Sequence, residues 1–279
     1  RGIDYVVNCL AGSNRSMLAA TQTLCDAARA APPRRIVHLS SMAVYGNVSG
    51  VVSEQADLAA PCSGYGDAKR GCEQIMSAYV RDGGDAIILR PGCVYGPGSR
   101  QWTVGLAHLL RARRAGDLGA AGDGICNLIH VDDLVAAIHA ALFVPPGARR
   151  VFNVVCTDPP TWNAYLVAFA RALGATPVRR ISARRIALET RIAAPALRIA
   201  AKAARTARLP AEWIPEAITP SLASLWRQDI RLDGSAAAQS LGKPAIGLAE
   251  GLAASARWLG APASALAPQS VPVLEAGQG

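Results

Sequence analysis

Short, almost unbroken apolar runs set what this chain can fold into. Residues 4–9 (DYVVNC), 35–40 (RIVHLS) and 86–90 (AIILR) are rich in strand-forming side chains, and helical stretches separate them. A strand with one wet face alternates polar and apolar positions. An unbroken run is buried on both faces, as in a parallel sheet with helices on either side. Ser13 is placed to cap a helix that ends before Pro32 and Pro33, and Ser63 opens a second over 63–81. Strand, helix, strand, helix, strand is the order of a doubly wound α/β fold. Further on, the pattern predicts a loop over 42–62, a helix near 105–115, a strand over 125–130, a helix over 132–143 and a strand over 151–155. From 161 it reads as mainly helical, with a frayed Ala/Pro/Ser-rich tail over 261–279.

Composition excludes several classes. Hydrophobic residues make up 51% and charged residues 18%, which suits a packed core and not a disordered chain. No apolar run reaches the ~18 residues of a membrane-crossing helix. The seven cysteines, at 9, 25, 62, 72, 93, 126 and 156, include no C-x-x-C pair, which argues against a disulfide framework and against a cysteine-held metal. The reading is a soluble protein of a reducing compartment, the cytoplasm. The net charge of +9 is concentrated: residues 171–208 hold ten basic residues against one acid, Glu189. Much of that stretch reads as a helix over 183–208, with Pro195 as a kink. It lacks interleaved aromatics and any nucleic-acid motif, so nucleic acid is not the expected partner. A solvated helix face is the plain reading, with an anionic substrate or lipid surface as the alternative.

The strongest chemical signal is Tyr65-Gly66-Asp67-Ala68-Lys69. Residues four apart on a helix share a face, so the ammonium can lie beside the phenol. A phenol titrates near pH 10, too high for a base at neutral pH, and a neighbouring cation lowers that value. The phenol can then exchange a proton with a substrate hydroxyl while a hydride leaves the same carbon. Upstream, the strand over 35–40 runs into Ser40-Ser41-Met42-Ala43-Val44-Tyr45-Gly46. Downstream lie Arg90-Pro91-Gly92-Cys93-Val94-Tyr95-Gly96-Pro97-Gly98 and Asn127-Leu128-Ile129-His130-Val131-Asp132-Asp133.

These segments, in this order and spacing, resemble the extended short-chain dehydrogenase/reductase family of NAD-dependent epimerases and dehydratases. The resemblance runs from about Asp4 to Leu259. It implies a Rossmann-like doubly wound parallel sheet over 1–97 and 126–155, a smaller, mainly helical substrate lobe over 98–125 and 156–260, NAD or NADP as cofactor, a small-molecule substrate and a homodimer through helices 14–31 and 63–81. Carried over residue by residue, Ser41 resembles the group that holds the substrate oxygen. Tyr65 resembles the acid/base, and Lys69 the residue that holds the nicotinamide ribose and depresses the tyrosine. Leu10, Ala11, Gly12 and Ser40 resemble cofactor contacts at strand ends, as do Pro91, Gly92, Cys93 and Val94 beside the nicotinamide.

Two departures qualify the expectation. The family's G-x-x-G-x-x-G loop, which receives the pyrophosphate, should lie roughly 60–70 residues before Asp4 by the size of βαβ units. The sheet is therefore expected to lack its first βαβαβ portion, with an exposed edge prone to aggregation and an inactive site in this chain alone. Cys93 stands where an asparagine is common, and Asn127-Leu128 where an Arg-Asp pair is common. Both changes tilt the substrate from a nucleotide sugar, which would suit a 4-epimerase or dehydratase, toward a less polar alcohol or ketone of hydroxysteroid or dihydroflavonol type. A non-catalytic member binding a partner or anionic surface through 183–208 is a further reading. Among other residues, His130 and Arg90 read as structural, Asp132 as an N-cap, Glu73 as facing solvent, Cys93 as an unreactive thiol, and Tyr45 and Tyr95 as packing beside the pocket. Trp102, Trp162, Trp213 and Trp226 read as core.

Overall fold

The computed structural model describes residues 2–58, 60–145, 150–207 and 216–260. Eight strands lie among them: β1 (Tyr5–Asn8), β2 (Arg35–Leu39), β3 (Gly50–Val52), β4 (Ala86–Pro91), β5 (Cys93–Tyr95), β6 (Leu128–His130), β7 (Val151–Val154) and β8 (Ile230–Leu232). The helices are α1 (Asn14–Ala30), α2 (Gly64–Arg81), α3 (Leu106–Arg111), α4 (Val131–Phe143), α5 (Trp162–Ala172), α6 (Ala183–Leu188), α7 (Ala194–Thr206), α8 (Pro220–Leu225), α9 (Ser235–Ser240) and α10 (Leu248–Gly260).

The main sheet is parallel, in the order β1-β2-β4-β7, with Val7 opposite Val37, Val37 opposite Ile87 and Leu89 opposite Phe152. Successive residues point to opposite faces. Ile36 and Ile88 join Cys25 and Ala28 of α1 and Met76 and Tyr79 of α2. Val37, Ile87 and Leu89 join Leu134, Ala137 and Ala141 of α4. Both faces are thus covered, which is why the runs carry no polar alternation. Ser13 caps α1 by accepting from the Ser16 amide, as expected, and Ser63, where the second helix was expected to open, caps α2 by accepting from the Gly66 amide.

Two smaller parallel pairs flank this sheet, β5 with β6 and β3 with β8. Residues 42–62 are therefore not all loop: Met42–Tyr45 forms a 3₁₀ turn, and Gly50–Val52 forms β3. The partner of β3 lies far along the chain, so nothing within 42–62 announces it. Buried side-chain amides tie these pairs together. Asn127 donates to the Ile230 carbonyl at 2.7 Å and accepts from the Leu232 amide at 2.9 Å. Asn153 donates to the Val52 carbonyl and accepts from the Tyr45 hydroxyl. Trp162 and Trp226 are fully buried in a core with Tyr165 and Phe169, whereas Trp213 lies outside the described residues.

Four further expectations differ. The helix near 105–115 begins as a π-helical turn, Arg100–Gly105, and continues as α3. The strand over 125–130 narrows to β6, with Ile125 forming an isolated bridge to Thr161. Asp132 does not cap α4; the cap is His130, whose Nδ1 accepts from the Asp132 amide. The basic helix is interrupted by a π-helical turn, Glu189–Ala193. Pro195 has no N–H to offer the Arg191 carbonyl, so the helix widens just ahead of it. The expected end of that helix at 208 and the tail over 261–279 lie outside the described residues.

Candidate functional site

Parallel strands deliver their carboxyl ends, and the loops that leave them, to one edge of the sheet. Leu10, Ala11 and Gly12 leave β1, Ser40 and Ser41 leave β2, and Gly92 follows β4. α2 brings Tyr65 and Lys69 to the same edge from its first two turns. Its approach is close. A Cβ on Gly66 would stand 2.5 Å from the Ala43 carbonyl oxygen, so only glycine lets α2 sit against the 3₁₀ turn that Ser41 caps. Arg70 secures the contact, donating to the Val44 and Ala60 carbonyls. The result is that Ser41 stands near the half-exposed Tyr65 phenol.

Lys69 is buried. Its Nζ donates to the Leu39 carbonyl at 2.7 Å and reaches the Leu10 carbonyl at 3.5 Å, spanning the ends of β1 and β2. It stands 5.9 Å from the centroid of the Tyr65 ring. Burial lowers the ammonium from its ordinary value. Burial also raises the Tyr65 phenol, and the neighbouring Ser41 hydroxyl lowers it. The net direction is upward. The depression of the phenol expected from Lys69 therefore does not prevail in the chain by itself: burial is the largest influence on the phenol, and the ammonium is engaged with the Leu39 and Leu10 carbonyls.

Ser40 points elsewhere: its buried hydroxyl donates to Glu73. Glu73 is the clearest correction to the sequence reading. It does not face solvent but is buried, accepting two bonds from Arg90 at 2.9 and 2.7 Å. Arg90 also donates to the Tyr45 hydroxyl and the Glu54 carbonyl, so it and Tyr45 are structural, as expected. This cluster anchors α2 one turn beyond Lys69. A Cβ on Gly92 would collide with the Asn127 carbonyl oxygen, so glycine is what lets the chain after β4 run so close to β6. Cys93 is buried, and its thiol is pushed well above its usual range by desolvation. Its backbone amide donates to the Asn127 carbonyl. Tyr95 and His130 pack edge to face with ring centroids 5.2 Å apart.

His38, next to this edge on β2, was not singled out by its sequence context. The Asn8 amide nitrogen lies 3.0 Å from His38 Nδ1, so Nδ1 accepts and the proton resides on Nε2. Burial, and then the charge of Lys69, lowers His38 to about 3. It stays neutral beside the site. Gly66, Arg70 and Glu73 were likewise missed as positioning groups; their only sequence signal is their place on the helix that carries Tyr65.

The donor set fits one end of a dinucleotide: a buried ammonium, exposed strand-end backbone and a phenol beside a hydroxyl suit a ribose and its nicotinamide. The pyrophosphate end is not provided for in the same way. The spacing G-x-x-G-x-x-G does occur at Gly116, Gly119 and Gly122. Those glycines lie between α3 and β6 and end in a 3₁₀ turn, Gly119–Gly122, not in a strand-to-helix turn of the main sheet.

The model of the NAD dependent epimerase/dehydratase family matches residues 2–154. A "3-diazoavenalumate denitrifying reductase" from a Streptomyces species is 32% identical over 166 residues, which cover 58% of this chain and 54% of the reductase. The chain thus spans about half the length of the curated relatives it matches. Among solved structures, MoeE5 in complex with UDP-glucuronic acid and NAD superposes with a TM-score of 0.63 at 26% identity, covering 93% of this chain and 80% of MoeE5. A UDP-glucuronic acid 4-epimerase from Bacillus cereus in complex with NAD gives a TM-score of 0.65 at 19% identity, covering 93% of this chain and 75% of the epimerase, a likeness of fold.

Proposed function

The chain belongs to the NAD dependent epimerase/dehydratase family, and on that premise we propose that the protein exchanges a hydride at a secondary alcohol or ketone carbon of a small molecule, with Tyr65 as acid/base. The observation that carries this reading is the meeting of Ser41, Tyr65 and Lys69 at the carboxyl edge of a parallel sheet. A bound nicotinamide dinucleotide, NAD in the solved relatives, supplies the hydride donor and acceptor. Ser41 holds the substrate oxygen and aligns it with the phenol. Tyr65 gives its proton to that oxygen in reduction and takes it back in oxidation. Lys69 is fixed by two carbonyls with a proton left to offer a ribose hydroxyl. Leu10, Ala11, Gly12, Pro91, Gly92 and Val94 serve this reading through their backbone at the strand ends. Ser40 and Cys93 serve it through backbone alone, because both side chains point inward.

Cys93 and Asn127 offer the cleft no polar side-chain atom, one being buried and the other spent on β8. This supports a substrate less polar than a nucleotide sugar at that end. The second reading, a nucleotide-sugar epimerase or dehydratase, draws on MoeE5 and the Bacillus enzyme, both named for UDP-sugar ligands or substrates. Incubation with NAD or NADP and a panel of UDP-sugars and secondary alcohols, read at the reduced-nicotinamide absorbance and by product analysis, separates the two. Net change of cofactor marks a reductase or dehydrogenase; product without net change marks an epimerase or dehydratase. Tyr65→Phe should lower turnover about 10²- to 10⁴-fold. The comparison is made on a form that turns substrate over, and a variant as active as that form would overturn the assignment. A homodimer through α1 and α2 is part of the same proposal, and sedimentation velocity tests it.

A further inference from the structure

The segment from α6 to α7 presents apolar side chains outward. Leu188, Ile192 and Ile199 are 57%, 64% and 71% exposed, although large aliphatic side chains are normally withdrawn. On the helical repeat, Pro195, Ile199 and Ala203 lie on the side opposite the buried Ala194 and half-buried Leu197, and all three are exposed. The outermost strip of α7 is therefore apolar. Arg191, Arg198 and Lys202 follow one flank of that strip and are exposed as well. Helices of a globular protein ordinarily show the reverse arrangement, with the apolar strip turned inward.

The one acid of the segment does not offset these charges. Glu189 is buried and accepts from Arg114 through both carboxylate oxygens, which, with Arg185, holds its carboxyl below the usual range. Among the described residues, Arg184, Arg191, Arg198 and Lys202 form no salt bridge. The π-helical turn has a geometric consequence. It turns Glu189 in toward Arg114 while Leu188 and Ile192, on either side of it, stay out.

We infer that α6, the π-helical turn and α7 form a docking surface for an anionic lipid bilayer, with the helix lying in the plane of the headgroups. The occupant follows from two properties of the surface. Its charge is of one sign and uncompensated, so a second copy presenting the same face would be repelled, and an anionic surface is the complement. Its exposed apolar residues stand beside long basic side chains, whose stems can lie on acyl chains while their charged ends reach phosphate. A purely electrostatic partner would leave Leu188, Ile192 and Ile199 in water. Among the described residues no helix is long and apolar enough to cross a membrane, so the contact is peripheral. The inference does not rest on the catalytic reading, because none of these residues belongs to the Tyr65 site.

The test is co-sedimentation of the full 279-residue chain with large vesicles. Vesicles of pure phosphatidylcholine are compared with vesicles in which about one third of the lipid is phosphatidylglycerol. Binding is expected only to the anionic vesicles and should weaken as salt rises. Arg191→Glu with Arg198→Glu should lower the partition coefficient at least about 25-fold, near fivefold for each basic residue removed. Ile192→Ser with Ile199→Ser should lower it about tenfold or more. All four positions are exposed, so the variants should keep the parent's circular dichroism and unfolding midpoint, which is measured alongside. Failure of the parent chain to sediment with anionic vesicles overturns the inference. So does binding that the serine variant leaves unchanged, because that behaviour belongs to a soluble polyanion or an acidic protein surface.

Discussion

Tyr65 keeps its proton in the resting chain, because burial outweighs the help its phenolate receives from Ser41. A resting acid suits the reduction direction, and the same balance shapes the other titrating residues of the site. His38 offers a direct check. Its ordinary value of 6.5 drops to about 3 in the fold, so the unfolded chain binds a proton that the folded chain refuses. The associated stability is complete above pH 6.5 and is lost as pH falls toward 3, by at most about 1.4 kcal/mol per pH unit. His38→Asn should flatten that part of the curve of unfolding free energy against pH. An unchanged slope would place the proton uptake elsewhere. Glu73 and Arg90 make a second residue-scale case. Glu73→Gln should cost about 3–5 kcal/mol by leaving a buried guanidinium without its carboxylate. The double replacement Glu73→Leu with Arg90→Leu should recover most of that loss in thermal unfolding. If the single and double variants unfold alike, the pair is not coupled.

At the scale of elements, one close approach assembles the site. α2 and the 3₁₀ turn Met42–Tyr45 touch across Gly66, and that contact brings Ser41 near Tyr65. Gly66→Ala should push them apart. Turnover is expected to fall more than substrate affinity, with a loss of stability of about 1–3 kcal/mol from the forced shift. Unchanged kinetics would mean that α2 adjusts freely. The pair β3–β8 depends on Asn127 in the same way. Asn127→Ala would leave the Ile230 carbonyl and the Leu232 amide without their partner, at about 1–3 kcal/mol for each buried group. Elements set by local chemistry were the legible ones. The caps at Ser13 and Ser63 and the ends of β1, β2 and β4 could be placed from a few neighbouring residues. β3 could not, because a three-residue strand carries no period of its own and exists only through a partner some 180 residues away, at Ile230–Leu232.

At the scale of the molecule, β1 lies at one side of the main sheet formed by the described residues, and Ile3, Val7 and Leu10 are exposed there. Open strand edges with apolar side chains recruit other strands. Val7→Lys should lower the self-association of the chain in light scattering while leaving its unfolding free energy within about 0.5 kcal/mol of the parent's. If self-association is unaffected, another surface drives it. The amino-acid sequence by itself determined the parallel sheet with both faces buried, the capped helices, and the spacing that stacks Lys69 one turn from Tyr65. Each of these is written in a period or a contact that spans only a few residues, so a short window holds all its physics. The tertiary structure alone decided that Glu73 is buried, since its partners Arg90 and Ser40 lie 17 and 33 residues away. It alone decided how closely α2 approaches the turn that carries Ser41, and that Asn127 serves β8 and not the cleft. A side chain's burial depends on what the rest of the chain packs around it, and residues distant in sequence supply that surrounding only after the chain has folded.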